Sequence, residues 1–442
     1  MQRLQYSEAD KGRHFSEGLN ENEYGSLKSQ FVISSWREDK LVLAVTNRNR
    51  SWSLQSAMRR ILSALLQGAL LFFCLGAGML IHAQEPSRTS STRTVNQASN
   101  QKSEFIAPGI EHLQITRGYK SDKEATGPWF INMLRIDLSQ ARLQLVHAMD
   151  EAVGLETVSS MAARYGALAA VNSGYFRTTG TYRGDSVGVE VLGGKLLSEP
   201  NSVRAALGLI EKGGRQELIF GHVQFEGQIT SGLSTKWHGP LRGNTRKMSV
   251  PQSKHAIDGL NRPRADNELI VFTPEFHRTT LTEPNGLELV VRRGRVVEVR
   301  DLKGSSVIPA DGFVISTAGA AREWALKNLG MGARVQLNLK LSPIETEQAD
   351  SWKKATSVIG SGPQLIKGGR VEITNVAEKI LPSFVNDGHP RTAIARLKSG
   401  HILLVTVDGR QPGESIGMSL NMLADLLLEF GAVEAINLDG GG

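Results

Sequence analysis

One construction occurs twice in the sequence and limits what the chain can become. Val158, Met161, Ala162 and Tyr165 stand at i, i+3, i+4 and i+7, with Thr157 ahead of them as an amino cap and Gly166 behind them as a stop. Ala167 to Val171 follows at once as an unbroken apolar stretch and ends in Asn172. Leu420, Leu423, Leu427 and Phe430 repeat the stripe, Gly431 ends it, and the largely apolar Ala432 to Ile436 leads into Asn437-Leu438-Asp439-Gly440. Each unit is a short amphipathic helix feeding a strand that is apolar on both faces, and such a strand needs a covering layer above and below. The echo, Gly-Ala-x-x-Ala-Val-Asn at 166–172 and Gly-Ala-x-x-Ala-Ile-Asn at 431–437, predicts two equivalent units delivering Asn172 and Asn437 to one sheet.

Strands dominate the rest. WFINMLRIDL at 129–138 and ARLQLVHAM at 141–149 predict an early hairpin turning at Ser139-Gln140. Further short strands are expected at Val187 to Val191, Ala206 to Ile210, Leu218 to Phe220, Leu269 to Phe272, Leu287 to Val291, Val296 to Val299, Phe313 to Ser316 and Val335 to Leu339, with a helix at about 319–329. The chain has 46 glycines in 442 residues and only 6% aromatics, which suits strands joined by tight turns better than a helical bundle. The expected fold class is α+β: a mixed, sheet-rich single domain over 105–442 with a few packed helices, behind an N-terminal hydrophobic export segment.

That segment is Ile61 to Ile81, an apolar run interrupted only by Ser63 and Gln67 and preceded by Arg59-Arg60. It is long enough to span a bilayer. With Met58 as the start, residues 58–84 read as a signal peptide with a cut after Ala83, and 1–57 are a mis-start. With the run uncleaved, it is an anchor holding the protein in the inner membrane, with 1–57 as a cytoplasmic tail. Both readings export the main domain, to the periplasm, the outside or the outer face of the inner membrane. Residues 85–104 are nearly free of apolar side chains and read as a flexible linker, and 1–57 carry no assigned function.

Charge and cysteine content exclude other classes. The formal charge is +7, of which +4 falls in 1–104 and +3 is spread over everything beyond, so the main domain has no focused basic stripe for nucleic acid. Cys74, the one cysteine, lies in the apolar run, which excludes a disulfide, a cysteine-zinc site or a cysteine nucleophile from the folded domain. Phosphate-binding glycine-lysine loops, dinucleotide fingerprints and paired histidines at metal-ligand spacing do not occur.

A polar set remains after residue 359: Gly360-Ser361-Gly362-Pro363, His389-Pro390-Arg391-Thr392, Asp408-Gly409-Arg410 and Asp439-Gly440-Gly441-Gly442. Arginines clamp phosphates through paired donors, carboxylates serve as acid or base, and a glycine run lets backbone N–H groups face an anion. Singly, Asp408-Gly409 also reads as a hairpin turn and Arg391 as a surface charge. Asp439 differs, because a carboxylate followed by three glycines after a buried strand has little structural use.

In order along the chain, Asn172-Ser173-Gly174-Tyr175-Phe176, Gly360-Ser361-Gly362-Pro363, Pro390-Arg391-Thr392-Ala393-Ile394, Val407-Asp408-Gly409-Arg410 and Asn437-Leu438-Asp439-Gly440-Gly441-Gly442 resemble the motifs of the phosphodiester glycosidases, bacterial relatives of the lysosomal uncovering enzyme. Ser173 and Ala395 stand where that family usually has glycine. Family members continue past the triple glycine with a Ser/Thr-containing segment and a further strand, so the resemblance implies a truncated carboxyl end at Gly442.

The resemblance implies hydrolysis of a sugar 1-phosphodiester at the anomeric carbon, releasing sugar and a phosphomonoester, in cell-envelope or exopolysaccharide metabolism. It assigns Asp408 and Asp439 to acid/base or electrostatic roles, Asn172 to substrate orientation, Arg391, Arg410 and Thr392 to the phosphate side, and the N–H groups of Gly440 and Gly441 to the anion. The partner is a phosphorylated glycan or sugar 1-phosphodiester, with no nucleic acid and with a membrane only through 61–81. The motifs fix no cofactor, and Asp408 and Asp439 as oxygen ligands leave a divalent cation open. The competing expectation is a noncatalytic envelope protein that binds phosphorylated polysaccharide in the same groove.

Overall fold

The computed structural model describes residues 31–32, 38–39, 41–47, 100–120, 125–200, 202–232, 235–236, 247–248 and 252–441. The apolar run 61–81 and most of the expected linker lie outside these residues. Among the described residues no helix is long and apolar enough to cross a membrane.

Strand outweighs helix, as expected for a sheet-rich α+β chain. The largest sheet has eight antiparallel strands, with Gln364–Lys367, Ala432–Leu438, Arg391–Leu397, Ile402–Val407 and Ala125–Ile136 side by side at its centre. A four-stranded sheet runs in the order Phe31–Val32, Ala169–Asn172, Leu41–Asn47, Ala141–His147. A seven-stranded sheet holds Ala355–Gly360, Ala205–Lys212 and the long strand Arg215–Ser231. The segments expected as strands between 269 and 317 make a sheet of their own: Leu269–Phe272, Gly312–Thr317, Leu287–Arg292 and Arg295–Asp301 form a separate five-stranded sheet with Gly259–Leu260.

The two helix-strand units explain the layering. Thr157 caps Val158–Tyr165 by accepting from the Ser160 N–H, and Gly166 closes it at φ 58°, a left-handed conformation that glycine adopts freely. The buried face of this helix packs on Val42, Ala44, Val146 and Ala170 of the four-stranded sheet. The opposite face of that sheet presents Leu43, Val45 and Val171 to a core shared with Leu207 and Leu209 of the seven-stranded sheet and Leu404, Ile436 and Leu438 of the eight-stranded one. Ser419 caps Leu420–Glu429 in the same way, and that helix covers the far side of the eight-stranded sheet through Leu420, Leu423 and Leu427.

Asn172 and Asn437 therefore end strands of two different, facing sheets, not of one sheet as the echo predicted. Each strand is covered by its own helix on one face and by the shared core on the other, which satisfies a doubly apolar strand without placing both in one ladder. The early hairpin is also absent. Ala125–Ile136 pairs with Ile110–Lys120 and Ile402–Val407, whereas Ala141–His147 pairs with Leu41–Asn47. The turn between them is built by the Asp137 side chain, which accepts from the Ser139 N–H at 2.8 Å and the Gln140 amide at 3.0 Å and redirects the chain into the second sheet.

Two N-terminal stretches acquire structure. Leu41–Asn47, within the otherwise unassigned 1–57, lies between Ala169–Asn172 and Ala141–His147, hydrogen-bonded to both. The expected linker is described from Asn100, where a strand begins that pairs with Ile110–Lys120.

Candidate active site

The eight-stranded sheet brings three of the polar motifs to one end. Arg391 opens the strand that runs between Ile402–Val407 and Ala432–Leu438, so Asp408 and Asp439 emerge from the two strands on either side of it. Two strand spacings separate their backbones by about 10 Å. Pro390 stands between the turns. A Cβ on Gly409 would come within 2.5 Å of the Pro390 nitrogen, and one on Gly440 within 2.2 Å of its carbonyl oxygen, so both glycines are required by close approach. No hairpin forms at Asp408-Gly409, since the strand after it is Ala432–Leu438.

Asp439 is held from several sides. Its N–H donates to the Ser173 carbonyl at 2.8 Å, and its own carbonyl accepts from the Asn172 amide. Burial pushes its carboxyl up to about 6, against the opposing pull of the Gly441 and Gly440 N–H groups and the Arg410 charge. The glycine N–H groups thus face this carboxylate, with Gly441 N to Asp439 Oδ1 at 3.3 Å. Asp408 is half-buried, and its carboxyl is also raised by burial. Among the described residues no group of three or more His, Cys, Asp or Glu side chains converges as metal ligands would.

Asn172 is 1% exposed, and its side chain is used at both ends. Its amide donates to Asp439, and its Oδ1 accepts from the Thr392 hydroxyl at 2.8 Å. It positions the Asp439 turn from the facing sheet, and Thr392 in turn positions Asn172. Arg391 is also 1% exposed. Its Nε donates to the Met418 carbonyl at 2.8 Å and one terminal nitrogen donates to the carbonyls of Phe384 at 2.7 Å and Asp387 at 2.9 Å, while its face stacks 4.7 Å from the Phe384 ring centroid. Burial lowers its pKa, and Arg410 adds to that effect. Most of its donor fork is committed to protein carbonyls. Arg410 is exposed and adopts a left-handed φ of 59°, with its charge felt at Asp439.

Four further groups complete the site. The Tyr175 hydroxyl donates to the Gly362 carbonyl at 2.9 Å and accepts from the Asn437 amide at 3.0 Å, and Asn437 also donates to Gly362 at 3.0 Å. Burial and the Asp439 charge raise the Tyr175 phenol, while Arg204 and Arg391 oppose them. The Arg204 guanidinium lies 5.7 Å from the Tyr175 ring centroid. Tyr175, Asn437 and Gly362 sit inside the motifs, so the sequence carried a signal for them. Arg204 is an isolated arginine before a strand and carried none.

Behind Gly362 is a buried acid–imidazole–acid group. Glu378 is 0% exposed and accepts from the N–H groups of Gln364 at 2.9 Å and Ala205 at 3.1 Å, from the Thr374 hydroxyl, and from His222 Nε2 at 3.3 Å. The other ring nitrogen of His222 meets Glu345 at 2.8 Å. Burial depresses the imidazole, but the two carboxylates more than offset it and its pKa is raised.

The model of one family, described as phosphodiester glycosidase, matches residues 285–442. Among solved structures, a protein of Burkholderia pseudomallei K96243 superposes with a TM-score of 0.65 at 21% identity, covering 78% of this chain and 91% of that one. A protein from Synechocystis gives 0.59 at 22% identity, and the match covers 78% of this chain but only 58% of that one. At these identities the likeness is one of fold. A zebrafish N-acetylglucosamine-1-phosphodiester alpha-N-acetylglucosaminidase catalytic domain gives a TM-score of 0.18 at 14% identity over 58% of this chain and 77% of that one, too loose a superposition to compare folds. No curated protein matches the chain. The match begins after the Asn172 motif and takes in Arg391, Asp408, Arg410 and Asp439, so over residues 285–442 the chain is similar to the phosphodiester glycosidase family.

Proposed function

We propose that this protein hydrolyses the glycosidic bond of a sugar 1-phosphodiester. The observation that carries the reading is Asp439, whose main-chain carbonyl is held by Asn172 and whose carboxyl is raised to about 6 by burial against the pull of the Arg410 charge. A base whose pKa lies near the working pH is ionised and still accepts a proton readily. Water attacks the anomeric carbon, and its proton passes to Asp439. The bond from that carbon to the phosphate oxygen breaks, and the electron pair leaves with the phosphate. The products are the free sugar and a phosphomonoester. A phosphate leaves readily, so the protein's main work is to activate water and stabilise an oxocarbenium-like centre, and Arg410 meets the anionic leaving group. Asp408, on the far side of Pro390, supplies negative potential near the developing cation.

The substrate class is a phosphorylated glycan of the cell envelope or an exopolysaccharide, supported by the motif set and by the apolar run 61–81 behind Arg59-Arg60. That run also supports an extracytoplasmic place of action, which cell fractionation would test. The activity test is release of sugar from a panel of sugar 1-phosphodiesters, with Asp439→Asn as control. Turnover lost in the variant supports the assignment. Binding of phosphorylated polysaccharide without turnover by the folded protein would replace it with a noncatalytic binding role.

A further inference from the structure

Arg204 precedes the strand Ala205–Lys212 in a fixed backbone. Ser202 adopts a left-handed φ of 59° and its carbonyl accepts from the Arg204 N–H at 3.1 Å, while the next residue, Ala205, is tied by its N–H to Glu378 and by its carbonyl to the Ser361 N–H at 2.9 Å. The side chain leans over Tyr175, and its Nε is buried without a hydrogen-bond partner. Among the described residues no carboxylate pairs with it. Neighbouring arginines differ: Arg177 pairs with Asp185, Arg262 with Glu199 and Glu268, and Arg391 is spent on three backbone carbonyls.

A half-buried guanidinium without a carboxylate partner is costly in the resting protein and well suited to an anion. Arg204 lies over Tyr175, whose hydroxyl accepts from Asn437 two residues before Asp439, and the charge of Arg410 is felt at Asp439.

We infer that Arg204, paired with Arg410, binds the substrate phosphate, in the role that the motifs alone would give to Arg391. This rests on the glycosidase reading for the substrate but not for the anion itself. Phosphate is recognised here by two guanidinium groups arriving from different sheets, one of them pre-oriented by an aromatic face.

The test uses the full chain, with inorganic phosphate as the probe in calorimetric titration and a sugar 1-phosphate methyl diester as the substrate. Arg204→Ala is expected to weaken phosphate binding by about tenfold or more and to raise KM by a similar factor with kcat nearly unchanged, as loss of a ground-state contact requires. Arg204→Lys recovers part of the binding, and Arg293→Ala, at an exposed turn, changes neither. An unchanged melting temperature in Arg204→Ala excludes misfolding as the cause. Turnover and phosphate binding both unaffected by Arg204→Ala would overturn the inference and leave the glycosidase reading standing. Arg204-dependent phosphate binding without turnover in the wild type would overturn that reading and keep the inference. A wild type that binds no phosphate overturns the inference outright.

Discussion

Asn172 and Asp439, 267 positions apart in the chain, are joined by a hydrogen bond from the asparagine amide to the aspartate carbonyl. The reverse brace runs from Asn437 to Tyr175, separated by 262 positions. Each strand of the repeated unit thus reaches across to the loop that follows the other, and the carboxylate proposed as base is held between two sheets.

Removing that carboxylate has opposite effects on activity and stability. Asp439→Asn is expected to lower kcat/KM about a thousandfold, within the range for loss of a general base. The wild-type pH–rate profile is expected to show an acid limb with an apparent pKa of about 6. A raised carboxyl pKa means that the folded state holds its proton more tightly than the unfolded state, so wild-type stability falls as pH rises from about 4 through about 6. At pH 7 the variant is therefore expected to be more stable, on the order of 1–2 kcal/mol, by denaturant titration.

Asn172→Ala leaves the Thr392 hydroxyl and the Asp439 carbonyl without their partner in a dry site. We expect a stability loss of about 2 kcal/mol and a fall in kcat of about a hundredfold from the displaced carboxylate. A shifted acid limb would accompany it, which distinguishes lost positioning from simple destabilisation. Wild-type kinetics in a destabilised variant would remove Asn172 from the catalytic account.

Gly440→Ala brings a methyl group 2.2 Å from the Pro390 carbonyl oxygen, a separation that no rotamer change relieves. The Asp439 turn must move. Activity is expected to fall to background with a stability loss of about 2 kcal/mol, measured by thermal melting beside turnover.

His222→Ala removes the cation between Glu378 and Glu345, with Lys367 left 3.8 Å from Glu345 as the nearest replacement charge. Breaking such a buried pair is expected to cost about 3 kcal/mol. The folded imidazole pKa is raised, so its contribution is complete below the ordinary histidine value and disappears as pH rises through the folded one. The difference between wild type and variant should therefore shrink in alkaline buffer, and a pH-independent difference would mean that the imidazole is neutral in the fold.

A chain begun at Met58 lacks Leu41–Asn47, whose Leu41, Val42, Leu43, Ala44 and Val45 are all buried. The loss of apolar burial is comparable with the net stability of a whole domain. We expect this form to unfold at markedly lower denaturant than the full chain. Equal stability of the two forms would show that the ladder does not depend on that strand.

The periodic elements were legible because their signals are local. Thr157 and Gly166 bound a helix, and Ser419 and Gly431 bound another, through caps and stops that depend on a few neighbouring residues. What the sequence could not specify was pairing. Ala125–Ile136 and Ala141–His147 alternate as hairpin strands do, and only the Asx turn at Asp137 and the availability of Leu41–Asn47 decide that they belong to different sheets. At the site, residue type marked Asp439 and Arg410 as candidates but carried nothing on the state of Arg391, because an arginine consumed by carbonyls and one presented to a ligand look alike in a motif. Arg204 was invisible for the same reason in reverse: its side chain lies over Tyr175, a contact that no local pattern around it announces.

The brace between Asn172 and Asp439 also sets an order in time. At about 5–20 residues per second of synthesis, the 267 positions between them take roughly 15–50 s to emerge. Throughout that interval the amide of Asn172 has no Asp439 to meet, and the inner face of the first sheet still lacks Leu404, Ile436 and Leu438. Completion of the candidate site is therefore a late event in the life of the polypeptide, reached only when its two distant halves have closed on each other.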